Sequence, residues 1–458
     1  MDDRTRATRG GRFTPAALMT ALVFLVALNL RPAVTALGPL LPQIGVEEGL
    51  DKGAQGLLGA VPVMAFALVS PLVHRASRRL GPERVVLAAL LVLVAGTLVR
   101  SWAGGAGLWI GTVVVGVSIA VGNVLVPALV KRDYSEKVSW ATSIYSTCIT
   151  VGSALAAATA VPLAGVWGWR GSLAFWAVPA LVTAVLWVPR VRASAPIPVP
   201  AASTAGVLDG AGGRAPSVWR RPSAWLVTVF MGLQSTCFYT MVTWLPTILI
   251  ASGASPETAG VHMFVFQLVG IPAGLALPLL MRRPDTQVGA AVASSVPMLV
   301  GVLGLLVLPA SGALWSAVAG VGAGASLVMA MTLIGLRSRT HQETTRLSGM
   351  AQSVGYLLAA GGPVLVGRLA QTSGGWTAPL GALASVAALQ VVVAVLAGRV
   401  PGTRRVHPHL PDEGVVTGSS LEDVPDEDVP DEDVPDEDLT AEDLSDGHLP
   451  GDGPGDED

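Results

Sequence analysis

Charge is scarce in this sequence, and acid is missing from its interior. Charged residues make up 13% of the 458 residues, about half the share in a soluble domain. The twelve Asp and Glu residues that precede residue 411 all fall in a terminus, a loop or a helix end. A water-facing globular fold is excluded on that composition. There are two cysteines, Cys148 and Cys237, both in apolar stretches, so neither a disulfide framework nor a thiolate metal site is expected. His262 is the single histidine inside an apolar run; it reads as packed or solvated, with pH sensing as the alternative. One such histidine, two separated thiols and no buried carboxylate supply neither a nucleophile with its base nor a metal set. The glycine-rich runs lack a following Lys-Ser/Thr, so they do not make a phosphate loop. No enzyme activity, metal, cofactor or nucleic-acid partner is expected.

Apolar residues are abundant, at 51% of the chain, with 53 Gly and 33 Pro. Glycine and proline at that level break soluble helices but are common in membrane ones. Twelve stretches are long enough to cross a bilayer, which takes about 20 apolar residues. They are roughly 15–41, 54–73, 84–103, 106–130, 139–164, 171–189, 223–250, 257–281, 286–308, 311–336, 346–369 and 378–398. With the N-terminus inside, 24 basic residues fall on the cytoplasmic side. Only Lys52, Arg100, Arg170 and Arg368 fall outside, and Arg31 alone lies within a span. The positive-inside rule then puts both termini in the cytoplasm.

The chain divides into a basic N-terminus (1–14), six spans (15–189), a Pro/Ala/Gly-rich linker (190–222), six more spans (223–400) and an acidic tail (401–458). "VPDED" recurs three times in the tail, a composition that cannot bury a core and predicts disorder. The halves echo each other: "LLPQI" ends span one and "WLPTI" ends span seven, while "GWR" opens span six and "GGW" opens span twelve. Near-constant offsets predict two parallel six-helix repeats about an axis along the membrane normal.

Within "LNLRPAVTAL", Asn29, Arg31 and Pro32 interrupt the first span. An arginine at mid-membrane is costly, and no carboxylate lies at that depth to pair with it. Pro32 removes an N–H and frees the Leu28 carbonyl, and the residue before a proline is biased away from helical geometry. Broken backbone at this depth is tolerated where it lines a cavity. Arg31 is therefore expected either to bind an anion or gate a cavity, or to cap the freed carbonyls. Asn123, Tyr145, Gln234, Tyr239, Trp244, Gln267, Gln352 and Tyr356 are further polar or aromatic groups inside spans. Each alone is a candidate for an interhelical hydrogen bond. As a set in spans 4, 5, 7, 8 and 11, with Asn29 and Arg31 in span 1, they predict one shared cavity.

"LNLRPAVTALGPLLPQI", "GNVLVPALVKRDYSEK", "GWRGSLAFWAVPAL", "GLQSTCFYTMVTWLPTIL", "FQLVGIPAG" and "SGMAQSVGYLLAAGGPVLVG" resemble the cyanate-transporter/nitroimidazole-transporter (CynX/NimT) branch of the major facilitator superfamily. The resemblance runs from about Asn29 to Gly398. It implies an all-α, twelve-helix secondary transporter of the bacterial cytoplasmic membrane that works by alternating access. One departure stands out: "SPLVHRASRRLGPER" lacks the acid of the superfamily's loop between spans two and three. The expected protein is a monomer in the lipid bilayer that carries a small anionic or polar solute, cyanate-like in size. Export of small heteroaromatic compounds is the alternative, and a non-transporting membrane sensor is the remote one.

Overall fold

The computed structural model describes residues 15–194, 218–281, 286–338 and 340–399. The N-terminal segment, most of the linker and the acidic tail lie outside the described residues. Among those described, the regular elements are all helices, as a lipid-embedded chain requires in order to satisfy its backbone within each segment.

The first crossing is assembled from α1 (Pro15–Asn29), α2 (Pro32–Thr35) and α3 (Leu37–Glu47). Single helices follow as α4 (Lys52–Leu80), α5 (Pro82–Trp102) and α6 (Gly104–Asp133). Next come α7 (Val138–Phe175) and α8 (Ala177–Ala193). The second half runs α9 (Pro222–Ala251), α10 (Pro256–Ala276), α11 (Val288–Val307), α12 (Gly312–Leu336), α13 (His341–Ser373) and α14 (Thr377–Arg399). Eleven helical stretches are long and apolar enough to span a membrane, and one of these, Trp140–Ala193, has 54 residues. A straight helix of that length would run roughly 80 Å, more than twice the hydrocarbon core. It does not run straight. Gly168 sits at φ 67°, ψ 169° inside α7, a conformation that glycine adopts without steric cost. The Ser172 hydroxyl then donates to the Ala160 carbonyl at 2.7 Å, so the chain has doubled back. The stretch makes two crossings, which brings the total among the described residues to twelve.

Two rims result. The rim that contains Glu47 and Asp51 is closed between the halves. The Gln371 amide donates to Asp51 at 3.1 Å, and the Lys52 ammonium lies 5.3 Å from the Trp376 ring centroid. Glycines make the approach of α4 to α13 possible there. A Cβ on Gly56 would lie 2.3 Å from the Pro363 carbonyl oxygen, and one on Gly367 would lie 2.3 Å from that of Lys52. At the opposite rim the ion pairs found among the described residues stay within one half. Arg132 pairs with Glu83 at 2.6 Å, Arg190 with Asp133, and Arg221 with Glu343.

Asp51 has two tasks at the closed rim. Its carboxylate caps α4 by accepting from Ala54 N at 2.7 Å, and it holds Gln371. The Ala54 amide, and then Gln371, keep its pKa below the ordinary carboxylate value. A lowered folded-state pKa means that this contribution is present at neutral pH and is lost as pH falls through that lowered value. Asp51→Ala is expected to lower Tm by about 2 °C, while Asp51→Asn, still able to cap, retains most of the stability at pH 7. Thermal unfolding of the two purified variants checks this, and equal losses would show that the cap contributes nothing.

Candidate functional site

The site begins with the interruption of the first crossing. α1 stops at Asn29, and Arg31 has φ −124° and ψ −31°, outside helical geometry, before α2 restarts at Pro32. The Pro32-induced break expected from the sequence is present. It opens the helix where α7 comes close: a Cβ on Gly152 would lie 2.2 Å from the Leu28 carbonyl oxygen.

Arg31 points at aromatic rings of α9. Its Cζ lies 5.6 Å from the Phe238 centroid and 5.5 Å from that of Tyr239, within cation–π range. Tyr239 and Tyr356, two of the chain's four tyrosines, thus border the same space as this cation. Its Nε is buried without a protein partner, and among the described residues no carboxylate pairs with it and no backbone carbonyl accepts from it. Of the two roles open in the sequence, carbonyl capping is not what these contacts describe. Arg31, Gln234, Ser235, Phe238, Tyr239 and Tyr356, closed by Ala323 and Leu327, line a small cavity of about 20 Å³. Tyr239 also borders a second, smaller space of about 10 Å³ between Val34, Gly38, Gly59 and Thr243. Phe66 of α4 completes the aromatic wall, 6.4 Å from Tyr239 and 6.0 Å from Tyr356 between centroids.

The other sequence candidates are distributed differently. Asn29 is buried and turns away, donating to Thr183 of α8 at 2.9 Å and to the Leu25 carbonyl at 2.8 Å. Trp244 belongs to the closed rim. Gln267 donates across the halves to the Ser153 hydroxyl at 2.5 Å. The Ser153 carbonyl in turn accepts from Thr35 at 3.1 Å, and Thr35 also donates to the Arg31 carbonyl at 3.2 Å. Gln352 bonds its own helix through Ser348 at 2.8 Å. Asn123 is half-buried on α6. Gln234 lines the cavity but spends its amide on Ser235 at 2.6 Å.

One charged residue is more deeply buried than its place near a helix end suggests. Arg100, assigned to the outer side, is 1% exposed, and its Nη1 donates to the Ala33 carbonyl at 2.6 Å. Its position two residues before the end of α5 looks like an interfacial basic residue, and nothing in its neighbours' hydropathy signals burial. Phe66 and Phe238 were also missed, because in an apolar helix a cavity aromatic and a packing aromatic read alike. Among the described residues no group of three His, Cys, Asp or Glu stands close enough to hold a metal.

The arrangement offers one cationic fork, phenol hydroxyls and flat apolar walls between two helix bundles. The profile of the Major Facilitator Superfamily matches residues 23–334. The chain is 40% identical to the uncharacterized transporter YycB of Bacillus subtilis, over 85% of this chain and 94% of the relative. It is 38% identical to the 2-nitroimidazole transporter of Escherichia coli, over 83% and 95%. Identity to the cyanate transport protein CynX of Escherichia coli is 27%, over 78% and 91%. Among solved structures, a bacterial homolog of the human lysosomal transporter Spinster superposes with a TM-score of 0.68 at 16% identity, over 84% of this chain and 98% of that one.

Proposed function

This chain belongs to the Major Facilitator Superfamily, in the branch of the nitroimidazole and cyanate carriers, and is a multi-pass secondary transporter of small solutes rather than an enzyme; within that class we propose that its solute is a small planar anion held by Arg31. The observation that carries this reading is the Arg31 guanidinium beside a cavity between the halves, with no carboxylate partner among the described residues and its Nε buried without a hydrogen bond. Paired with an internal carboxylate, Arg31 would have no need of a ligand; here an incoming anion supplies the missing charge. A guanidinium offers two parallel donors to a carboxylate or a similar planar group, and Tyr239 and Tyr356 add phenol donors and ring faces. A nitroheteroaromatic solute is favoured by the same features. Its nitro group presents two coplanar oxygens to the fork, and a relative at 38% identity is named for 2-nitroimidazole.

Arg78, Arg79, Lys131, Arg132, Arg190, Arg192, Arg220, Arg221, Arg337 and Arg399 end their helices or flank them at one rim. That bias supports a cytoplasmic rim there, with both termini inside a bacterial inner membrane and the Glu47 rim facing out. The cavity is completed by the two halves of one chain, which supports a functional monomer.

Uptake into proteoliposomes tests the proposal with benzoate, cyanate and 2-nitroimidazole. Transport of at least one anion, competed by the other two solutes, is the expected result, because all three would meet Arg31 in one cavity. Transport of 2-nitroimidazole with no effect of either anion would overturn the anionic assignment.

A further inference from the structure

Arg100 is a buried charge that the solute cavity does not use. A lone buried guanidinium is strongly unfavourable unless it is paired, yet Arg100 has one protein contact, the Ala33 carbonyl, and its Nε and Nη2 have none among the described residues. The base of the residue is pinned: α6 lies so close that a Cβ on Gly111 would be 2.3 Å from the Arg100 backbone nitrogen. From that fixed base the side chain reaches into the first crossing and grips the carbonyl two residues beyond Arg31.

That carbonyl belongs to α2, which has four residues. A helix this short does not hold its own geometry, since nucleating a turn is unfavourable. Its orientation is set by its ties. The Val34 and Thr35 amides donate to the Arg31 carbonyl at 2.9 and 3.0 Å, Thr35 reaches Ser153, and Arg100 supplies a charge-assisted bond from α5. Such bonds are roughly twice as strong as neutral ones. Because Arg31 itself lies in the non-helical break, its direction depends on where α2 is held.

We propose that Arg100 is a positioning residue for solute binding: by holding the Ala33 carbonyl it fixes the break so that Arg31 projects into the cavity. This rests on the reading of Arg31 as the solute's partner. A purely structural arginine would show itself in stability, whereas a positioning arginine shows itself in affinity. Arg100→Met separates the two, because it keeps the bulk and removes an incompletely paired charge, a change often neutral or stabilising.

The test uses the full-length protein, with benzoate as the probe. In Arg100→Met the KM for benzoate uptake rises about tenfold, the maximal rate stays within about twofold, and Tm does not fall. Arg100→Lys, which keeps a donor toward Ala33, recovers most of the KM. In an Arg31→Gln background Arg100→Met adds less than about twofold, since residues acting through one contact are not additive. Hydrogen exchange of the 30–36 amides, read without solute, speeds up in Arg100→Met and not in Arg100→Lys. A wild-type KM in folded Arg100→Met, equal damage from Lys and Met, or a full additional loss in the double variant would overturn the proposal. Arg100→Gln replaces the Met variant if that one fails to fold, with the same outcomes. Should neither benzoate nor cyanate be transported, or should Arg31→Gln handle them as wild type does, the anion reading falls by itself. Exchange at 30–36 then decides whether Arg100 holds the break, and an unchanged rate there would refute it.

Discussion

Arg31→Gln is expected to weaken solute binding by roughly 10- to 150-fold while the protein still reaches the membrane and folds. A hydrogen bond to a charged group contributes about 1.5–3 kcal/mol, and 1.4 kcal/mol is a factor of ten. The fold should survive because Arg31 makes no ion pair and caps no carbonyl among the described residues; its protein contacts there are the ring faces of Phe238 and Tyr239. Gln even relieves the cost of a buried cation. Arg31→Lys should fail nearly as badly, since an ammonium is a point charge without the planar fork. Equilibrium binding and thermal unfolding measured on the same purified variants separate affinity from stability. A large fall in Tm with unchanged affinity would return Arg31 to a structural role.

The second large effect concerns closure rather than binding. Gly56→Val should reduce transport turnover by about tenfold or more and leave solute affinity within about threefold. The added side chain meets the Pro363 carbonyl oxygen, which would lie 2.3 Å from the new Cβ. That oxygen is backbone and cannot rotate aside. Overpacking of this kind costs about 1–3 kcal/mol, and here the cost falls on the state in which α4 and α13 meet. A transporter that must visit this state in each cycle slows by the corresponding factor, while Arg31 and its cavity walls are untouched. Gly165→Val is the control, because a Cβ there meets nothing within 4 Å. Proteoliposome uptake rates set beside equilibrium binding check the split. Wild-type turnover in Gly56→Val would mean that the seal is not part of the cycle.

The crossings and the break were legible in the sequence for simple reasons. Spans announce themselves because lipid demands about 20 apolar residues in a row. The interruption at Arg31 and Pro32 was legible because two backbone rules coincide at one position. Facing was far less so. Asn29, Trp244, Gln267 and Gln352 lie at plausible depth but satisfy themselves on neighbouring helices or within their own. In helices surrounded by apolar partners there is no polar stripe to say which side faces a cavity. Tyr239 and Tyr356 stood out in the sequence because a buried phenol needs a partner, and both border the space beside Arg31. The burial of Arg100 was not legible, because a basic residue near a helix end normally reaches the interface, whereas here the guanidinium turns to the Ala33 carbonyl.

Charge recognition at Arg31 is the centre of this account, and a matched pair of probes isolates it. Benzoate and benzamide share a flat ring and a planar head group and differ in net charge. Their equilibrium binding to the wild-type protein, at one pH and one salt concentration, should differ at least tenfold in favour of benzoate. Equal affinity for the two would contradict an anion site at Arg31.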